Sequence, residues 1–276
     1  MHSVTLPNGE KVPALGLGTW MMAERGRRDS DIRALKLGIE LGMTLIDTAE
    51  MYGDGRVETM IGEAIHGIRD GLFLVSKVYP YNASRKGVAE ACERSLKRLG
   101  TDRLDLYLLH WRGNVPLEET LSGFESLRAA GKIRHWGVSN FDTSDMKDLF
   151  ALPKGSACAA NQILYNLSRR GPEYDLLPRL DEHRVPVMAY SPVEQGRLTV
   201  KDALHRVAKA HRVTPYQIAI AWLLRNPNVI VIPKAGSEAH VRENRATTDI
   251  RLTEDDLAQL DTAFKPPTRH RPLESI

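Results

Sequence analysis

The chain has 276 residues, 42% hydrophobic and 26% charged, with 38 Lys and Arg against 35 Asp and Glu for a formal net charge of +3. That length holds one large α/β barrel or two ordinary domains and excludes a short binding module, while the apolar fraction excludes wholesale disorder. Near-balanced charge gives no general attraction to nucleic acid, and no run approaches the ~18 apolar residues of a membrane-spanning helix, so neither partner is expected.

The first element is an expected hairpin over 3–13, turning on Pro7-Asn8-Gly9. Residues 1–11 contain no apolar export core, which points to the cytoplasm. Eight apolar runs follow, at 14–18, 43–46, 72–76, 104–109, 133–138, 158–161, 185–189 and 229–232, and each reads as a strand. Between them lie amphipathic stretches at 29–41, 56–68, 84–99, 117–130, 143–150, 173–183, 214–225 and 238–246. Leu96 and Leu99 beside Lys97 and Arg98 show the pattern of an inward stripe and a solvated face. Ser30-Asp31, Ser84 and Thr214-Pro215 read as helix starts, and Gly100 and Gly131 as stops. Two further segments, 200–211 and 253–264, exceed eight strand–helix pairs and read as added helices. No Gly, Pro or Ser-rich linker divides the chain. The expected fold class is therefore α/β, a (β/α)8 TIM barrel over 1–276 as one domain, with an N-terminal hairpin and two added helices. A doubly wound dinucleotide fold would need a glycine-rich first turn, which Gly16-Leu17-Gly18 matches only in part. Cys92 and Cys158 lack metal-type spacing and read as buried thiols.

The residues that close the runs carry the chemistry. Asp47, Lys77, His110, Ser139-Asn140, Gln162, Tyr190 and Lys234 each follow an apolar run, and in a barrel such positions face one mouth. Any one of them alone reads as a loop cap or a solvated side chain. An acid, a lysine and a histidine on consecutive strands, with Tyr52 five residues beyond the acid, form a proton-transfer set. A tyrosine of ordinary pKa about 10 becomes a better proton carrier when a lysine cation lowers that value. Asp47 would hold the lysine, and a neutral His110 would hydrogen-bond a substrate oxygen. Such an acid protonates an alkoxide but supplies no electrons, so a nicotinamide is the expected hydride donor. A metal-dependent hydrolase would need ligands such as His-x-His at a strand end; His205 and His211 are six apart on an expected helix, so no metal site is expected.

Over nearly its full length the chain resembles the aldo-keto reductases. The matching pieces are Gly16-Leu17-Gly18-Thr19-Trp20, Leu45-Ile46-Asp47-Thr48-Ala49-Glu50-Met51-Tyr52-Gly53, Val75-Ser76-Lys77, Leu106-Tyr107-Leu108-Leu109-His110, Gly137-Val138-Ser139-Asn140-Phe141, Asn161-Gln162, Ala189-Tyr190-Ser191-Pro192 and Ile232-Pro233-Lys234. The resemblance implies a catalytic tetrad of Asp47, Tyr52, Lys77 and His110 with Tyr52 as proton donor, and NADPH lying across the barrel mouth. It puts Gly18, Thr19 and Trp20 on the cofactor side at the end of the first strand. It gives Ser139, Asn140 and Gln162 to the carboxamide, Asp47 to the nicotinamide ribose and Tyr190 to a stack on the nicotinamide ring. The loop from Ser191 and Pro192 through Gly196 to Leu198 would cover the pyrophosphate, with Lys234 on the 2′-phosphate and Glu243 and Asn244 on the adenine. Family members commonly carry serine just after that lysine and arginine six after it, where this chain has Ala235 and His240. Ser237, Arg242 or Arg245 would have to compensate, since a neutral His240 holds a phosphate less well than a guanidinium, and the retained Lys234 favours NADPH over NADH.

Trp20, Tyr52, Tyr79, His110 and Trp111 would line an aromatic pocket for small carbonyls, with Tyr81 on its rim and Arg112 beside it. The segments 47–52, 76–80 and 107–111 resemble a bacterial branch of aldehyde and methylglyoxal reductases, which implies α-oxoaldehyde or aryl aldehyde substrates and a monomer. A second reading is a regulatory or redox-sensing barrel of the same family that binds the nicotinamide with little turnover.

Overall fold

The computed structural model describes residues 1–276. A hairpin comes first, β1 (Ser3–Thr5) and β2 (Lys11–Pro13), with Val4 opposite Val12 and Gly9 at φ +89° in the turn. Val4, Leu6 and Val12 are buried, and Glu10 reaches Arg134 and His135. The hairpin therefore caps the end of the barrel opposite the strand C-termini.

Eight parallel strands follow in chain order: β3 (Leu17–Gly18), β4 (Leu45–Asp47), β5 (Phe73–Val78), β6 (Leu104–Leu109), β7 (Ile133–Ser139), β8 (Asn161–Leu164), β9 (Val187–Tyr190) and β10 (Val229–Val231). Every residue of β5 and β6 is buried, as expected of parallel strands covered on both faces. The first and last strands meet through parallel bridges at Leu15–Val231 and Gly18–Lys234, with Gly16 N donating to Val231 O at 2.9 Å and Gly18 N to Pro233 O at 3.1 Å. These contacts close the sheet into a barrel.

The barrel helices are α1 (Arg28–Glu40), α2 (Arg56–Ala64), α3 (Arg85–Leu99), α4 (Leu117–Ala129), α5 (Thr143–Ala151), α6 (Leu176–Glu182), α8 (Pro215–Leu224) and α9 (Glu238–Ala246). The two expected added helices are α7 (Asp202–His211) and α10 (Glu254–Ala263). They pack on each other, and His211 Nε2 lies 2.8 Å from Asp256 Oδ2. Ser84 and Thr214 cap α3 and α8 as expected, Thr214 in a reciprocal pair with Gln217. Cys92 and Cys158 are buried and free.

Several expectations need correction. Helix α1 starts two residues before Ser30, whose hydroxyl donates back to the Arg27 carbonyl instead of capping. Helix α2 stops at Ala64 rather than 68, and α6 starts at Leu176 after a single 3-10 turn at Gly171–Glu173. The sixth strand begins at Asn161 instead of occupying 158–161, so Gln162 lies inside β8; Lys77 likewise lies inside β5. Helix α8 has no solvated stripe over residues 217–224, because α7, α9 and β10 pack around it and Trp222 is fully buried.

Gly18 sits at the barrel seam, where a Cβ would meet the Ile232 carbonyl oxygen at 2.5 Å. That neighbour is backbone and cannot swing away. Gly18→Ala is expected to lower stability by about 1–3 kcal/mol through overpacking, read as a shifted urea midpoint with unchanged slope.

Candidate active site

Alternation along β5 sorts its side chains. Ser76 points outward, its hydroxyl donating to Glu58 Oε1 of α2 at 2.6 Å, so Lys77 points into the barrel. Register sets Gly18 beside Asp47 and Asp47 beside Val75, which brings the acid at the end of β4 next to the lysine. Lys77 Nζ donates to Asp47 Oδ2 at 2.9 Å, to the Thr48 carbonyl at 2.8 Å and to Tyr52 Oη at 3.2 Å. All three ammonium protons are thereby placed on a fully buried cation. Tyr52 is delivered by the turn after β4, where Gly53, Asp54 and Gly55 all have positive φ and swing the chain from the mouth into α2. Its ring lies 4.9 Å from Lys77 Nζ.

The electrostatics depart from expectation in one respect. Burial raises the Tyr52 pKa and outweighs the lowering by Lys77, so the phenol is held above its ordinary value. Burial opposes the Lys77 charge too, but Asp47 and Tyr52 reverse that and the net shift is upward. The pair thus rests as a neutral phenol against an ammonium, the proton arrangement of a general acid.

His110 follows β6, anchored by its backbone N–H to the Val78 carbonyl at 3.0 Å. Burial, with Lys77 adding to it, lowers its pKa to about 2, so the ring is neutral at any ordinary pH. An aromatic wall runs outward from this point. Tyr52 makes edge contacts with Trp20 at 4.9 Å and with His110 at 5.9 Å. His110 meets Trp111 at 5.0 Å, Trp111 meets Tyr79 at 4.9 Å, and Tyr79 stacks on Tyr81 at 5.2 Å. All the residues expected in the pocket are therefore in one continuous run. Arg112 turns away from it to pair with Asp145 and Asp148, each at 2.8 Å.

A second polar group sits at the ends of β7, β8 and β9. Gln162 Nε2 donates to Asp47 Oδ1 at 2.7 Å, which links the acid to this group. Ser139 Oγ donates to the Gln162 carbonyl at 2.8 Å, and Asn140 Nδ2 to the His110 carbonyl at 3.1 Å. Tyr190 Oη donates to Asn140 Oδ1 at 2.9 Å, and Asn140 itself has a positive φ of 56°. The loop after β9 also bends through left-handed conformations at Ser191, Glu194, Gln195 and Gly196. Leu198 is buried, and Gly196 offers its carbonyl to Tyr216.

Not every expected cofactor residue has a free group to offer. Gly18 belongs to the barrel seam, and the Thr19 hydroxyl donates to the Asp47 carbonyl at 2.8 Å, fully buried. Ser237 is committed as the cap of α9, accepting from His240 N at 3.4 Å. Arg245 is turned to the Leu41 carbonyl and Thr248. Pro192, His240, Glu243 and Asn244 have side chains without intramolecular hydrogen bonds, whereas Lys234 stands half-buried with no ion pair.

The fold agrees with the comparisons. Residues 14–265 match the model of the Aldo/keto reductase family. The chain belongs to that family. It is 50% identical over 271 residues to methylglyoxal reductase YeaE of Escherichia coli (strain K12), covering 96% of this chain and 95% of the relative. Glyoxal reductase of Bacillus subtilis (strain 168) is 32% identical over 266 residues, 95% of this chain and 93% of that one. Among solved structures, an aldo-keto reductase from Klebsiella pneumoniae in complex with NADPH superposes with a TM-score of 0.96 at 48% identity, covering 100% of this chain and 99% of that chain.

In this aldo/keto reductase two supporting groups escaped the strand-end pattern. Glu50 accepts from Tyr79 N at 2.8 Å and from Asn82 Nδ2 at 3.0 Å, and so fixes the base of the aromatic wall. Asn166 donates to the Ser191 carbonyl at 2.9 Å and to Glu194 Oε1 at 2.7 Å, which pins the loop after β9. Glu50 lies within the motif around Tyr52 and was legible there; Asn166 has no signal in its local sequence.

Proposed function

We propose that the protein is an NADPH-dependent reductase of small aldehydes and ketones, chiefly α-oxoaldehydes such as methylglyoxal and aryl aldehydes, with Tyr52 as proton donor. The observation that carries this reading is the buried Lys77 ammonium shared between Asp47 and Tyr52 at 2.9 and 3.2 Å. The names of the E. coli and B. subtilis relatives support the substrate class.

The donor set fits a dinucleotide. Ser139, Asn140 and Gln162 bring hydroxyl and amide groups together where a carboxamide would be held, Tyr190 offers a half-buried ring, and the loop 191–198, Lys234, Glu243 and Asn244 continue along the rim. When bound, NADPH supplies the hydride. The chain's own task is to hold the carbonyl and protonate the alkoxide oxygen. Neutral His110 donates an N–H to that oxygen without adding charge beside Lys77, and one of its ring nitrogens, Nδ1, is buried without a protein partner. Tyr52 Oη gives its proton to the same oxygen, and Lys77 stabilises the phenolate left behind. Asp47 keeps Lys77 in place, itself held by Gln162. Trp20, Trp111 and Tyr79 exclude water and stack on a planar substrate.

The pH profile follows from these shifts. Reduction needs the protonated phenol, and burial raises its pKa, so kcat should stay level through neutrality and fall only in the alkaline range. His110, at about 2, should contribute no inflexion between roughly pH 5 and 8. An acid-limb pKa near 6.5 that disappears in His110→Gln would contradict the neutral-histidine assignment. The substrate reading is tested by comparing kcat/KM for methylglyoxal, 4-nitrobenzaldehyde and a steroid ketone with NADPH and with NADH. The aldehydes with NADPH should lead; a steroid preference or an NADH preference would reject that part of the reading.

A further inference from the structure

We propose that Arg27 is a coenzyme-specificity residue: together with Lys234 it forms a two-cation cradle for the 2′-phosphate monoester of NADPH. This rests on the reading of the protein as an NADPH-dependent reductase and names the residue that replaces the guanidinium missing at His240.

Gly236 marks the place. A Cβ built there would lie 2.8 Å from Arg27 Nη2, 3.1 Å from Lys234 Nζ and 2.9 Å from Asp31 Oδ1. Two cations from opposite ends of the chain therefore converge on one small volume beside Gly236. Barrel closure brings them there, since Lys234 bridges to Gly18 and Arg27 precedes α1 a few residues after β3. Neither cation is held in a tight ion pair. Lys234 has no ion pair, and Arg27 has only Glu24, at 3.8 Å with both side chains about half exposed. Their mutual repulsion is felt: burial and Arg27 together lower the Lys234 pKa.

Asp31 is fully buried beneath the pair. Its Oδ2 accepts from Ala23 N at 3.0 Å, which fixes the loop bearing Arg27, and its Oδ1 has no hydrogen-bond partner. With Glu24 and Asp31 both close by, the formal charges of the cluster balance, so what it offers a phosphate dianion is the donor groups of Arg27 and Lys234 converging on one spot. A guanidinium and an ammonium side by side give directional donors and a point charge, the combination that a neutral histidine cannot supply. A dinucleotide without the 2′-phosphate leaves these donors unused, so discrimination comes from the bonds that only the phosphate makes.

The test measures binding, with 2′,5′-ADP and 5′-AMP titrated by calorimetry into the parent, Arg27→Ala, Arg27→Lys, Lys234→Ala and the surface control Arg33→Ala. Arg27→Ala should weaken 2′,5′-ADP by about tenfold or more and leave 5′-AMP within about twofold, with Arg27→Lys in between and Arg33→Ala like the parent. If Lys234→Ala loses 2′,5′-ADP while Arg27→Ala keeps it, Arg27 is not part of the cradle and the coenzyme reading survives. If Arg27→Ala weakens both nucleotides equally, its role is not phosphate recognition. If the parent itself binds the two nucleotides equally, the NADPH reading fails with the inference.

Discussion

Replacing Tyr52 by phenylalanine should lower kcat for methylglyoxal reduction by about two to four orders of magnitude, the ordinary contribution of a positioned general acid. The change removes one oxygen from a buried ring whose edge contacts to Trp20 and His110, at 4.9 and 5.9 Å, do not involve it. The lost hydroxyl does leave Lys77 one hydrogen bond short, but Asp47 and the Thr48 carbonyl still hold the ammonium. Stability should therefore fall by about 1 kcal/mol, the worth of one hydrogen bond. NADPH binding, followed by quenching of intrinsic fluorescence, should be unchanged. Parent-like turnover in the variant would show that the proton comes from elsewhere.

Lys77→Met should be as damaging to activity and far more damaging to the fold. The ammonium is wholly buried, and its removal leaves the Asp47 carboxylate, itself nearly inaccessible, without a counter-charge. Breaking such a pair costs about 3–5 kcal/mol, because the remaining charge keeps its desolvation penalty. The double variant Asp47→Asn/Lys77→Met removes both charges and should regain most of that stability in urea unfolding while staying inactive. Recovered stability with lost turnover separates the electrostatic role of Lys77 in catalysis from its role in packing. If the single variant unfolds at the parent midpoint, Lys77 and Asp47 are not the coupled pair described here.

The barrel was legible because its parallel strands are nearly continuous apolar runs and most helices carry a solvated stripe. Where that contrast vanished, the boundaries slipped. Lys77 and Gln162 were read as terminating strands, yet both lie within them, because polar side chains inside a barrel are satisfied across the mouth by Asp47. Helix α8 conceals its start and end less than its environment: it is apolar on all sides since neighbouring helices enclose it. Asp47, Tyr52, Lys77 and His110 stood out because ionisable residues at consecutive strand ends are rare in a sequence otherwise patterned for burial. The direction of the Tyr52 shift did not, since it depends on burial outweighing the nearby Lys77 cation, and depth of burial is not visible in the sequence. Arg27 was invisible for a different reason. Only closure of the sheet between β3 and β10 puts it beside Lys234, more than 200 positions away.

The most direct test of the account is the initial rate of NADPH oxidation by the purified protein with methylglyoxal, with product alcohol measured alongside. The account predicts saturable turnover, one alcohol formed per NADPH consumed, and its near abolition in Tyr52→Phe. Tight NADPH binding with no oxidation across small aldehydes and aryl aldehydes would contradict it and favour a barrel that binds the nicotinamide without acting as a reductase.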